Sequence, residues 1–421
     1  VEDIRAAYPG DDDAEKVRNF IRDVYQQHDT DWVLLAGDAD LEVVGGETEE
    51  VIVPARGLWG DVEYGGPDPN VPSDLYFACL DGDFDADLDG VYGEETDAPD
   101  LMAEVHVGRA PADSCAEIEH FVRKTLAYRA DRTERLRSVW LAGEWLGPDA
   151  YSAPMLEALR SGSWQGGTLL HGFDENPFFT IHTLYDAGVC EKDCWGPEDI
   201  LGVMNGGVHV LHHCGHSYTN YNMRVTCDDI DAGLTNQDFF FQYTGGCYPG
   251  SFDNRLDPLG GANAVSEQDS FAEHLVMGPH GAFAAIMFSR YGVGDLLPRL
   301  FWDGAFGRGL KELGALHTDS RQRAAAWVDD PYVRWQIYSL NLFGDPEVAL
   351  HMSDAEAPVL GVQTSPLVFA AIEGGEAPGP QTLVVRNDGE GALAWAAFVD
   401  QDWLTVTPAS GTAPAAIEIR A

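Results

Sequence analysis

Apolar positions along the chain alternate between a helical and an extended period. Residues 14–25 place Val17, Phe20, Ile21, Val24 and Tyr25 on one helical face, and WVLLAGD at 32–38 follows as a strand ending on Gly37 and Asp38. EVHVGRAP at 104–111 reads as a strand. Ser114 and Glu117 then form a capping box that opens a helix carrying Ile118, Phe121, Val122, Thr125 and Leu126. VWLAGE at 139–144 is a strand again, and a helix around Met155 to Leu159 follows it. Val208 to His213 and Phe239 to Thr244 are short apolar, β-branched or aromatic runs bounded by glycine, the pattern of buried strands in a parallel sheet. Ser270 and Glu273 cap a helix over SFAEHLVM, and GAFAAIMFS at 281–289 reads as one more buried strand. This alternation predicts an α/β fold, a mostly parallel sheet with helices on both faces.

Beyond NLFGDPEVAL at 341–350 the texture changes. Residues 353–358 read as a linker between a first domain over 1–352 and a small all-β domain over 359–421, where QTLVVRN and WLTVTP are strands separated by Gly and Pro. The second domain resembles the immunoglobulin-like sandwiches that trail many secreted enzymes. The chain opens on what reads as mid-domain sequence and stops on the strand-like IEIRA, so both ends are expected to be cuts in a longer protein.

Composition narrows the classes. With 421 residues and 45% hydrophobic content the chain can bury a large core. Its longest apolar run, at 281–289, is far short of the ~20 residues of a spanning helix, so no membrane span is expected. Seventy acidic residues against 25 basic ones give a formal charge of −45, which would repel a phosphate backbone and excludes nucleic acid as the partner. An acidic surface suits cations or basic substrates. The seven cysteines are compatible with one free thiol and up to three bridges in an oxidising compartment, so an extracellular or cell-surface location is expected. Cys190 and Cys194 are the nearest candidate pair, and Cys79, Cys115, Cys214 and Cys227 are equally readable as buried thiols.

The stretch LDGDFDADLDGVYGEE at 80–95 gathers Asp81, Asp83, Asp85, Asp87, Asp89, Glu94 and Glu95 in one turn-rich loop. These carboxylates repel one another unless a cation sits among them. Hard oxygen donors at alternating positions, closed by Gly90, suit a structural Ca²⁺. Position twelve is Thr96, so the loop is no EF-hand, and a solvated acidic loop is the plain alternative. No organic cofactor is called for.

The sharpest chemistry lies just past two predicted strands, at His216 in VHVLHHCGHS and Cys247 in DFFFQYTGGCYPG. Ligands of open α/β sheets bind at the carboxyl ends of the strands, so a His and a Cys released there can meet. A thiol with an unperturbed pKa of about 8.5 needs such an imidazole, which raises its thiolate fraction or protonates a leaving amine. A cysteine hydrolase is the leading reading. A zinc hydrolase is the rival, since His209, His212, His213, Cys214 and His216 are closely spaced, although strand alternation separates His212 from His209 and His213. Glu273 reads as a helix cap rather than a catalytic group.

At this point several segments agree in order with one family. WVLLAGD, SDLYFACLDGDFDADLDGVYGE, AEVHVGRAP, the CGHS and GGCYPGSFD turns, DSFAEHLV and LFGDPEVAL span roughly residues 15–350, and over them the chain resembles the gingipain-type cysteine peptidases, relatives of caspases and legumains. The resemblance implies a caspase-like α/β fold, protein or peptide substrates, and the absence here of the family's N-terminal portion. It also implies that Cys247 is the nucleophile, His216 the catalytic histidine and Glu144, in LAGEW, an acid supporting that histidine. The backbone N–H groups of Ser217 and Cys247 would form an oxyanion hole. The family reads GHG where this chain has Gly215, His216 and Ser217. Family preference for Arg or Lys before the cut implies an acidic pocket residue, and Asp149 is the candidate. A non-catalytic, calcium-stabilised homologue acting as an adhesion or scaffold module is the alternative if Ser217 narrows the site. Oligomeric state is left open.

Overall fold

Three of the apolar runs lie side by side at the centre of an eight-stranded sheet. In chain order its strands are β1 (Trp32–Ala36), β2 (His106–Ala110), β3 (Ser138–Gly143), β4 (Thr180–Tyr185), β5 (Val210–Cys214), β6 (Phe240–Thr244), β7 (Ala282–Phe288) and β8 (Leu340–Phe343). Their spatial order is β1-β2-β8-β7-β6-β5-β3-β4. All pairings are parallel except β7 with β8, where Ala285 faces Phe343 and Phe288 faces Leu340. This computed structural model describes residues 1–39, 43–44, 47–48, 51–63, 66–254, 269–353, 359–362, 367–371, 377–387, 393–399, 401 and 403–421.

The central strands are buried on both faces because successive side chains feed different cores. Val210 of β5 and Phe241 and Tyr243 of β6 join one apolar cluster with Trp302 and Phe301, while Leu211 and Phe240 join a second with Phe271, Leu275 and Met287. Every residue of β7 is buried. Helices Asp13–His28, Cys115–Ala130, Ala153–Ser161 and Phe271–Met277 occupy the segments read as helical. Ser114 and Glu117 make their reciprocal capping bonds, and the Glu273 carboxylate accepts the Ser270 N–H at 2.6 Å.

Two features differ from expectation. In Cys115–Ala130 the buried stripe is Phe121, Lys124, Thr125 and Tyr128, whereas Val122 and Leu126 are exposed, because they lie farther round the helix. Lys124 is buried by donating its ammonium to the carbonyls of Leu275 and His280. The edge strand β4 and the helices Pro197–Asn205, Leu296–Phe306, Leu313–Ala324 and Pro331–Ser339 complete the layers without having been predicted.

Residues Val1–Met352 form one compact unit and Ser353–Ala421 another. The second holds a four-stranded antiparallel sheet, Leu360–Val362, Gln381–Asn387, Ala415–Arg420 and Thr405–Thr407, and a strand pair, Ala394–Ala396 with Ser410–Thr412. Its small core is Val385, Trp395 and Ile417. This is an all-β, immunoglobulin-like module; of the predicted linker, residues 354–358 lie outside the described residues.

Among the described residues no helix is long and apolar enough to cross a membrane.

Candidate active site

Parallel pairing sets His213 of β5 opposite Thr244 of β6. Three residues beyond each stand His216 and Cys247, so both side chains leave the sheet at the same edge. The turns that carry them are in contact. A Cβ added at Gly246 would lie 1.8 Å from Ser217 Oγ and 2.6 Å from Ser217 Cβ. A third turn, beyond β7, closes on the same place: a Cβ at Gly292 would lie 2.4 Å and 2.5 Å from the carbonyl oxygens of Gly245 and Gly246. Bare α-carbons at positions 246 and 292 are therefore what lets the three strand ends converge.

The His216 ring is exposed, and Cys247 is half-buried with its Sγ 3.9 Å from the Gly292 carbonyl. After Cys247 the backbone turns sharply through Tyr248, a left-handed residue (φ 68°) whose N–H donates to the Arg290 carbonyl at 2.8 Å. A second thiol, Cys214, lies under the turn with its Sγ 3.9 Å from Met155 Sδ. Burial, reinforced by the nearby Asp295, Glu144 and Cys247, pushes the Cys214 thiol up to about 12, which leaves it protonated and unreactive at neutral pH.

Glu144 follows β3 and is 3% exposed. One carboxylate oxygen accepts from His213 Nε2 at 3.0 Å, and the other lies 3.4 Å from the His216 backbone N–H and 3.8 Å from Arg224 Nε. The expectation that Glu144 holds the His216 ring is not met by this geometry. The carboxylate passes beneath Gly215, where a Cβ would lie 2.5 Å from both Glu144 Cδ and His213 Nε2, and so reaches the turn's backbone instead. His213 Nδ1 is 2.7 Å from Thr244 Oγ1, and that oxygen also accepts the Gly246 N–H at 3.2 Å. Ser217 does not project into the space above the turns. Its hydroxyl donates to Asn222 Oδ1 at 2.7 Å and packs against Gly246.

An internal cation borders the acid. Arg224 donates to Asp186 at 2.6 Å, lies 3.6 Å from Asp193, and stacks 4.1 Å above the Trp195 ring. Burial raises the Asp186 carboxyl, but hydrogen bonds from Arg224 and from the N–H groups of Cys194 and Trp145 outweigh it and hold the group below its ordinary range. Asp193, Trp195, Asp199, Tyr221 and Arg224 line an open cleft of about 460 Å³. The Cys190–Cys194 disulfide closes a short loop beside it, with Lys192 5.6 Å over the Trp145 ring. Asp149 sits at the exposed tip of the hairpin Trp145–Gly147 and Ala150–Tyr151, left-handed at φ 58°, with no hydrogen bond or ion pair among the described residues.

The histidine run separates rather than converging on a metal. His209 contacts Tyr128 Oη at 2.8 Å and the Leu136 carbonyl, while His212 Nδ1 accepts from Trp302 Nε1 at 3.1 Å. Burial holds both imidazoles down to about 3, and His213 belongs to Glu144 and Thr244. Of the acidic loop, Asp85, Asp87 and Asp89 bring one oxygen each within 4.8 Å of the others, the one such cluster among the described residues. Asp81, Asp83 and Glu94 stand outside it. Asp83 is turned to accept the Asp85 N–H, and Glu94 accepts the Thr96 hydroxyl. Asp97, unforeseen, organises the loop by accepting the N–H groups of Ala86, Gly93 and Glu94.

His213, Thr244, Asn222, Arg224 and Asp186 were not singled out as members of this site. A carboxylate directly after the mixed stretch TIHTLY was the one signal for Asp186, and it needed β4 to be recognised as a strand.

Residues 1–351 match the profile of peptidase family C25, and residues 362–421 that of the viral BACON domain. Among solved structures the chain is similar to the Arg-specific cysteine proteinase gingipain R, at 17% identity and a TM-score of 0.58, over 100% of this chain and 83% of that one. The complex of the Porphyromonas gingivalis RgpB pro- and mature domains matches at 18% identity and a TM-score of 0.54, over 100% of this chain and 85% of that one. A structure described as a protease matches at 14% and 0.58, over 97% and 81%. No curated protein matches. With the family profile spanning the whole larger unit and a strand-end His and Cys on touching turns, the chain belongs to peptidase family C25, the gingipain family of cysteine peptidases.

Proposed function

We propose that the chain is a secreted cysteine endopeptidase working through Cys247 and His216, and one observation carries the reading: each side chain stands three residues beyond the paired residues His213 and Thr244 of adjacent parallel strands, on turns that touch. The Cys247 thiolate attacks the carbonyl carbon of a peptide bond. The oxyanion is met by the N–H groups of Ser217 and Cys247, and His216 gives its proton to the leaving amine as the C–N bond breaks. Water then attacks the thioester with His216 as base, releasing the acid and restoring the thiol. Glu144 supports the histidine through the backbone of its turn.

A preference for Arg or Lys before the cut is supported by acids that remain open to solvent, Asp149 at the hairpin tip and Asp193 and Asp199 beside the cleft. Glu144 and Asp186 are buried against Arg224, whereas Asp193, also paired with it at 3.6 Å, stays exposed. A structural Ca²⁺ at Asp85, Asp87 and Asp89 fits the all-oxygen donor set and the left-handed Gly90 that closes it. Secretion is supported by the Cys190–Cys194 bridge. Nothing favours the non-catalytic scaffold, since Ser217 is turned into its own contacts.

The test is cleavage of a fluorogenic peptide library by wild type, Cys247→Ala and His216→Ala, in calcium and mild reductant. Turnover should fall by about 10³-fold or more in both variants. Folded wild type that cleaves nothing, or a Cys247→Ala protein that still cleaves, would overturn the proposal, and the library reports the residue before the cut.

A further inference from the structure

The buried network under the turns has a symmetry that the reaction does not by itself require. On one side, Glu144 Oε2 faces the backbone N–H of His216, the peptide just before Ser217. On the other, Thr244 Oγ1 accepts the N–H of Gly246, the peptide just before Cys247. Between them stands His213, fully buried, with Nε2 on Glu144 at 3.0 Å and Nδ1 on Thr244 at 2.7 Å. Each arm ends one peptide short of an amide assigned to the oxyanion hole.

We propose that His213 is a positioning residue: its imidazole joins the ends of β3, β5 and β6, so that the Ser217 and Cys247 amides are held at the separation an oxyanion needs. Glu144 acts through His213 and the His216 amide. The inference rests on the reading of Cys247 and His216 given above, and it adds a residue that touches neither substrate nor thiol. Its physical basis is that an oxyanion hole works by preorganisation, and that a misplacement of about 1 Å costs on the order of 10²-fold in rate.

The distinguishing readout uses two reactions of the same thiol. Peptide hydrolysis needs the amides; alkylation of Cys247 by iodoacetamide is a displacement at carbon that develops no oxyanion. His213→Ala removes the centre of the bridge and Thr244→Val its β6 end, and His213→Gln keeps a donor for Glu144 and an acceptor for the Thr244 hydroxyl. In folded His213→Ala and Thr244→Val proteins, kcat should fall about 30- to 100-fold with KM changed less than about threefold, while Cys247 alkylates within about threefold of wild type. His213→Gln should recover at least about tenfold in kcat. Should one alanine or valine variant not fold, the other carries the test.

Turnover within about threefold of wild type in the variants that fold would overturn the inference. So would alkylation falling in step with kcat, because His213 would then act on the thiol. Failure of the underlying reading looks different: Cys247→Ala would still cleave, whatever His213 does.

Discussion

Adding a single methyl group at Gly246 drives the two strand-end turns apart. The new Cβ would stand 1.8 Å from Ser217 Oγ, 2.6 Å from Ser217 Cβ and 3.3 Å from the Gly215 carbonyl. Gly246 is not among the left-handed glycines, so its backbone accepts alanine and the contact alone opposes it. The Ser217 hydroxyl can rotate away at the expense of its Asn222 bond, but its Cβ cannot, so restoring ordinary contact at about 3.4 Å requires Ser217 and residue 246 to separate by roughly 0.8 Å, at a cost of about 1–3 kcal/mol of overpacking. Such a displacement approaches the ~1 Å that lowers rates on the order of 10²-fold, so Gly246→Ala should lose about 10- to 100-fold in kcat/KM with its thermal transition shifted only a few degrees. Ser217→Gly removes both clashing atoms and forfeits one hydrogen bond to Asn222, about 1 kcal/mol, so alone it should cost less than about tenfold. Combined, the two should restore turnover toward the Ser217→Gly level. The assay is fluorogenic peptide turnover by the four proteins of this cycle, with thermal melts alongside. Gly246→Ala turning over within threefold of wild type, or a double variant no better than Gly246→Ala, would refute the argument that these turns set each other's spacing.

Calcium at 100 times its dissociation constant should stabilise the folded chain by about 2.7 kcal/mol, read as a higher melting temperature, and Asp87→Ala should abolish the shift. An unchanged melting temperature on adding calcium to wild type would remove the ion from the acidic loop. Burial holds His209 and His212 down to about 3 and His317 well below its ordinary range. An unfolded imidazole takes a proton near about 6.5, so below that pH the unfolded state binds more protons and stability should fall by up to about 1.4 kcal/mol per pH unit per histidine. Urea unfolding between pH 7 and 4 checks this, and a flat profile from 6.5 to 4.5 would contradict it. Arg224→Ala strands the buried Asp186 carboxylate and should cost about 3 kcal/mol, measured by the same unfolding curves.

What could be read beforehand was local. The glycine-bounded runs that became β5, β6 and β7, and the cap pairs Ser114 with Glu117 and Ser270 with Glu273, carry their structure in a few neighbouring residues. The parallel register then brought His216 and Cys247 to one edge. The partner of Glu144 was not local: His213 lies 69 residues away, and the pairing depends on β3 running beside β5. Helix Leu313–Ala324 buries His317, Thr318, Ser320 and Arg321 alongside Leu313, Leu316 and Ala324, so polar residues interrupt the apolar stripe that would have marked it. The edge strand β4 exposes half of its six residues and reads as a polar loop. Strand β8 follows helix Pro331–Ser339 with no intervening loop, so its reversal against β7 had no turn signal.

The equal distance of His216 and Cys247 from the paired residues His213 and Thr244 also divides the molecule by its tolerance to change of length. A strand end advances about 3.3 Å and swaps faces with each added residue, so one insertion between Thr244 and Cys247 would carry the thiol past its partner. The hairpin at 145–151 and the disulfide loop at 190–194 hang beyond β3 and the edge strand β4 and carry neither side chain. Lengthening or replacing them leaves the spacing of the reacting pair intact. The scaffold thus separates a His–Cys pair whose spacing the sheet register fixes from loops whose length that register does not constrain.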